Sequence, residues 1–191
     1  MSTGPGKRRW EQGRCVIEMI DEPCYTFGSV DNVRRYDREI ILERENHLVS
    51  KHGLRCLVNE EPCGSAVLGT SGRATGLTEH SCVLMADRAL VAVGNRVAAL
   101  ALPDLRLLWE AEGDEATCFG VHATPDDRHV LVHGELAISK LTIEGGKLWA
   151  VFGRDILTGS FSLHGGVAVV SDWNGEEYRI DIERGQPLTS G

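Results

Sequence analysis

His133 and Glu135 stand two residues apart in the run Val132-His133-Gly134-Glu135. On a strand that spacing sends both side chains to one face. With His122 and Asp155 they make the chain's best candidates for metal or acid–base chemistry, since imidazole and carboxylate serve as zinc ligands and as proton-transfer groups. The competing role is structural, with imidazole and carboxylate bonding each other or backbone to pin a strand end. Spacing shows no complete ligand set, so no metal and no cofactor is expected.

The second group is acidic. Glu110, Glu112, Asp114 and Glu115 place four carboxylates in six residues. The run is too short for a calcium loop and lacks its pattern. It reads as a solvated hairpin, or as a patch that docks a basic partner by charge complementarity. Trp173, in Asp172-Trp173-Asn174-Gly175, reads as a turn residue with a partly exposed indole, of the kind that anchors interfaces.

Catalytic residues are not assigned. No Ser lies in G-x-S-x-G and no Cys has a nucleophile context. The loop Gly69-Thr70-Ser71-Gly72-Arg73-Ala74-Thr75-Gly76 lacks the Gly-Lys-Ser/Thr ending of a phosphate-binding loop and reads as flexible.

The elements that must position these residues repeat along the chain. Pro103-Asp104-Leu105-Arg106-Leu107-Leu108-Trp109 is echoed by Ile143-Glu144-Gly145-Gly146-Lys147-Leu148-Trp149, then by Ile182-Glu183-Arg184-Gly185-Gln186-Pro187-Leu188. Leu90–Gly94, Val130–Gly134 and Val167–Val170 follow a similar beat to this period of 39–40 residues, at steps of 40 and 37 residues. Val91–Val93 and Val130–Val132 suit strands covered on both faces. Glu177–Glu183 alternates charged and apolar residues, as a strand with one buried face does. Turn signals lie between them, at Gly94-Asn95, Pro125-Asp126-Asp127, Gly145-Gly146, Gly165-Gly166 and Asn174-Gly175. The reading is all-β, built from antiparallel meanders, with Trp109 and Trp149 in the packing between units. A β-sandwich is the alternative. Upstream the repeat fades: 53–58, 65–69 and 81–85 still read as strands, and a strand over Glu39–Glu45 is favoured against a helical face over 33–45.

The net charge of −8 is uneven, +1 over residues 1–38 and −9 beyond them. An acidic body argues against direct nucleic-acid binding and favours basic partners. Lys7-Arg8-Arg9 precedes no apolar run, so no secretory signal is read, and no segment has the length of an apolar membrane span. The expectation is a cytoplasmic protein with no membrane contact, a disordered tail over 1–14 and one repeat domain over 15–191. Six cysteines at irregular intervals form no CxxC and are expected as reduced thiols, although Cys56 and Cys63 could face each other across a hairpin.

The pattern of a short apolar strand, a Gly or Asp turn and a Trp, carried by Leu100–Trp109 and Leu141–Trp149, resembles the quinoprotein-like (PQQ-like) β-propeller repeat over about residues 80–191. The resemblance implies a small or incomplete propeller, since 191 residues hold just under five units of this size. The metal and quinone residues of quinoprotein dehydrogenases have no counterpart. His133-Gly134-Glu135-Leu136-Ala137-Ile138-Ser139 with Gly153-Arg154-Asp155-Ile156 also looks like a group of small uncharacterised bacterial proteins sharing HGE-x-x-IS and G-x-DI. The expected role is a non-enzymatic binding protein with a basic protein partner, and within that class an immunity-type protein that neutralises a toxin. The alternative is a small enzyme or ligand-binding protein with a pocket near His133, Glu135 and Asp155.

Overall fold

The computed structural model describes residues 6–42, 47–85 and 87–188, and among these every regular element is a strand. The strands form four sheets in chain order. The first holds β1 (Lys7–Gln12), β2 (Cys15–Asp21), β3 (Arg38–Ile41), β4 (Ser50–Val58) and β5 (Glu61–Thr70), in the order β1-β2-β4-β5-β3 with β3 parallel to β5. The second is the meander β6 (Cys82–Met85), β7 (Arg88–Val93), β8 (Arg96–Ala101) and β9 (Leu107–Glu112). The third is β10 (Cys118–Ala123), β11 (His129–Gly134), β12 (Ala137–Thr142) and β13 (Lys147–Phe152). The fourth is β14 (Phe161–His164), β15 (Val167–Ser171), β16 (Glu177–Asp181) and β17 (Gln186–Pro187).

Three apolar clusters glue the sheets in series. Ile17, Leu54 and Leu68 meet Ala89, Val91 and Leu100 between the first and second sheets. Leu90, Val97 and Ala99 meet Val121, Val130 and Val132 between the second and third. Leu131 and Ile138 meet Ala168, Val170 and Ile180 between the third and fourth. The middle strands are therefore covered on both faces, as the runs Leu90–Val93 and Val130–Val132 require. In β16 the alternation resolves as expected, with Tyr178 and Ile180 packed inward and Glu177 and Arg179 exposed. A sandwich would pair two sheets, whereas here each sheet packs on its neighbours in turn.

The repeated tryptophans are equivalent. The Trp109 ring lies over Gly145 in the next sheet's turn, and the Trp149 ring lies over Gly185, so that a Cβ there would stand 2.7 and 2.5 Å from the rings. Both glycines also have positive φ, 90° and 63°, so close approach and backbone conformation together demand glycine. Leu188, third in the series, is 41% exposed.

Two upstream expectations are corrected. Residues 7–12, read as tail, form β1, because Trp10 packs into the first core cluster and its Nε1 donates to Glu79 O at 2.8 Å. The strand placed at Glu39–Glu45 covers Arg38–Ile41, and positions 43–45 lie outside the described residues. All six cysteines are free thiols, and the β4–β5 register sets Cys56 opposite Gly64 rather than Cys63.

Candidate functional site

Strand pairing gives an exact internal control for the third sheet. Val83 pairs Leu90, Leu90 pairs Ala99 and Ala99 pairs Trp109, all on the second sheet's face toward the third. The same ladder in the third sheet reads His122, Leu131, Lys140 and Trp149, on its face toward the fourth. Ala92 opposite Val97 becomes His133 opposite Ile138. A register shift falls at Ala99/Leu100 and again at Lys140/Leu141, which fixes the alignment. Three apolar positions of one interface are thus two histidines and a lysine in the next.

The histidines share one aromatic neighbour. His122 stacks on Phe161 of β14 with centroids 4.2 Å apart, His133 stacks on the same ring at 5.3 Å, and His80 lies 4.7 Å from His122. His133 is buried, and its Nε2 meets Leu157 O at 2.6 Å. A carbonyl only accepts, so Nε2 carries the proton. His122 Nε2 is buried without a partner. Burial holds the His122 imidazole down to about 3, with His80 and His133 adding repulsion, and burial also lowers His133. Both rings are neutral near pH 7, aromatic packing groups rather than a charged pair.

The remaining pocket candidates do not join them. Glu135 lies in the β11–β12 turn, beyond the strand end, and takes Arg73 at 3.2 Å. Asp155 accepts from Ile156 N at 2.7 Å and from Asn174 Nδ2 at 2.6 Å. The expected common face for His133 and Glu135 fails because Gly134 ends the strand between them. Among the described residues no group of three or more His, Cys, Asp or Glu is placed to hold a metal.

The acidic patch is also dispersed. Asp114 is buried, its Oδ1 accepting from Ala116 and Thr117 and its Oδ2 from Leu136 and Ala137. It knots two turns together and is unavailable to a partner, which corrects its reading as an interaction residue. Glu110 pairs Arg96 at 3.3 Å and Glu112 pairs Lys147 at 3.7 Å, while Glu115 stands exposed.

Trp173 is 71% exposed on a turn that is internally braced. Asp172, buried beneath it, accepts from Asn174 N, Glu176 N and Tyr178 Oη, each at 2.9 Å. Trp173 N donates to Ile156 O at 2.8 Å, and Arg154 reaches Glu176 at 3.2 Å. The segments 154–156 and 172–176 therefore form one knot, with Asp155 bonded to Asn174 next to Trp173, and Phe152, 56% exposed, ends β13 just before it.

Sequence reasoning missed two polar arrangements. His52, fully buried, lies with Nδ1 2.9 Å from Asp21, though off the line a hydrogen bond needs, and with Nε2 3.3 Å from Thr75 Oγ1. Thr75 Oγ1 also accepts from Gly94 N, and Thr75 N donates to Ser50 Oγ, so the Gly-rich loop is fastened down rather than free. The other is Lys140, buried on β12 and bonded to Ile182 O at 2.9 Å. Aligning the units on their β8 and β12 strands, one residue off the Trp spacing, would have set Lys140 against Ala99.

No family model and no curated protein sequence matches the chain. Among solved structures it is similar to the computationally designed Ika4 protein, at 13% identity and TM-score 0.52, over 61% of this chain and 74% of that one. It is similar to BamB from Moraxella catarrhalis, at 12% identity and TM-score 0.55, over 95% of this chain and 62% of that one. It is similar to the Pan2 WD40 domain of Neurospora crassa, at 11% identity and TM-score 0.50, over 58% and 36%. The chain spans less than two thirds of the BamB chain. These likenesses bear on architecture, and with the four serial meanders they make the fold all-β and β-propeller-like.

Proposed function

We propose that this chain is a non-enzymatic binding protein of bacterial type that engages a protein partner through the knot carrying Trp173. The observation behind this reading is the exposed indole on a turn already fixed by Asp172. An anchor held in its bound geometry loses little entropy on association, and Trp is the side chain most enriched at interface hot spots. Phe152 adds apolar surface just before the knot. The net charge of −8 favours a basic partner, and a toxin neutralised by an immunity-type protein fits that chemistry. The group sharing HGE-x-x-IS and G-x-DI is the proposed kinship, since Asp155 of that motif braces the knot.

The test is affinity capture from the native host with full-length protein and with Trp173→Ala. A basic partner should be retained by the wild type and released by moderate salt. Trp173→Ala, with an unchanged circular dichroism spectrum, should lose about tenfold or more in affinity. A partner held equally by both proteins would remove the knot from the interface. For the toxin version, expression of the captured partner should arrest growth unless the wild-type chain is co-expressed.

A further inference from the structure

The turns β10–β11, β14–β15 and the turn after β16 lie at the end of the sheets opposite Trp173. Between the third and fourth sheets they surround a cleft of about 830 Å³, with Lys140, His129, Asp126, Asp181, Glu183 and Leu148 among its walls. That volume falls within the usual range of small-molecule sites.

The equivalent place between the second and third sheets has different polar partners. There Ile143 O accepts from Trp109 Nε1 at 2.8 Å and from Arg88 at 2.9 Å, and position 99 is alanine. At the third–fourth interface Ile182 O is taken by Lys140 Nζ instead, and Trp149 Nε1 is left buried without a partner. Lys140 is 6% exposed and, among the described residues, has no carboxylate within ion-pair distance. An ammonium carries three donors, and the backbone carbonyl uses one. Burying a cation without a counter-charge is costly unless something satisfies it.

The mouth of the cleft has the opposite sign. Asp126 is held ionised near 2, chiefly by the Thr124 hydroxyl and the Arg128 amide. Asp181 Oδ1 accepts from the amides of Glu183 and Arg184. Glu183 is exposed and free of any hydrogen bond or ion pair to its side chain among the described residues. A polyanion would meet these carboxylates before reaching the floor. A simple cation would find the lysine. A molecule with both charges meets each with its opposite.

We propose that the cleft between the third and fourth sheets binds a small zwitterion, its carboxylate on the Lys140 ammonium and its cationic end at Glu183 and Asp126. The site is distinct from the Trp173 knot and does not depend on a protein partner. Free arginine is the probe, because its carboxylate, with the α-ammonium beside it, and its guanidinium stand at opposite ends of an apolar stem that can lie along Leu148.

Isothermal titration of the full chain should show arginine binding about ten- to a hundredfold tighter than agmatine, which lacks the carboxylate. Lys140→Met should erase that advantage. The variant should stay folded, since an apolar side chain replaces an uncompensated charge and Ile182 O becomes free for Trp149. Glu183→Gln, at the exposed mouth, should weaken arginine severalfold and leave acetate unchanged. Trp149, paired with Lys140 across the sheet, should change its emission on saturation in the wild type but not in Lys140→Met. Equal binding of arginine and agmatine would overturn the proposal. So would undiminished arginine binding by Lys140→Met, or no heat and no emission change with arginine.

Discussion

Two interfaces built from the same ladder of residues have diverged. Between the second and third sheets, Val83, Leu90, Ala92 and Ala99 form an apolar contact, Trp109 Nε1 has its carbonyl, and Asp114 is buried under four amides. Between the third and fourth, His122, His133 and Lys140 occupy three of those positions, Trp149 Nε1 has no partner, and Asp155 is exposed with two donors. Backbone geometry is kept, down to the register shift beside the residue opposite each tryptophan. The lesson is that a repeat scaffold concentrates its polar variation in one joint while a neighbouring joint supplies rigidity. Apolar packing and buried polar side chains are divided between adjacent contacts of the same design.

The sharpest way to break this comparison is to remove each link's carboxylate. Asp114→Ala should cost about 3–5 kcal/mol in urea unfolding, because four buried amides lose their acceptor. Asp155→Ala should cost about 1 kcal/mol or less, since its donors can turn to water. Equal losses would mean that the two joints are alike in energy.

The next effect is acid sensitivity confined to the polar joint. The folded value of His122 lies far below its unfolded one, so the unfolded chain binds more protons once pH drops under about 6.5. Stability should therefore fall with pH, by about 2 kcal/mol at pH 5 for His122 alone. The groups facing it are His80, His133 and the ring of Phe161. Urea midpoints at pH 7 and pH 5 should lie closer together in His122→Gln, and an undiminished gap would assign the sensitivity elsewhere.

The smallest effect separates the tryptophans. Trp109→Phe should cost about 1 kcal/mol more than Trp149→Phe, the value of one net hydrogen bond. Matching losses in chemical denaturation would show that Trp149 finds an acceptor in solution.

Much of this architecture was legible in the residues. Trp109, Trp149 and Leu188 mark the period, paired glycines mark the turns, and the alternation at 177–183 tells which side of the fourth sheet is wet. The first strands of the third and fourth sheets, β10 and β14, escaped notice because they carry Gly120 and Ser162 where an apolar residue would have advertised a strand. β1 was hidden because Lys7 and Arg9 find their partners in Glu18 and Glu60, residues distant or across a turn. Asp114 looked like surface because the amides that bury it lie partly at 136–137, on another turn. Lys140 went unseen since the two landmarks, Trp and strand, step by 40 and 41 residues, and only the ladder shows which face a residue takes.

The stacking of Trp109 and Trp149 on glycines of the following sheets has a consequence for synthesis. Trp109 precedes Gly145 by 36 residues, and Trp149 precedes Gly185 by the same interval. A ribosome adding roughly 5–20 residues per second would leave each indole uncovered for about 2–7 seconds before its platform is translated. The second and third sheets are thus each finished by a successor, and the growing chain carries an unsealed ring while each successor is being made.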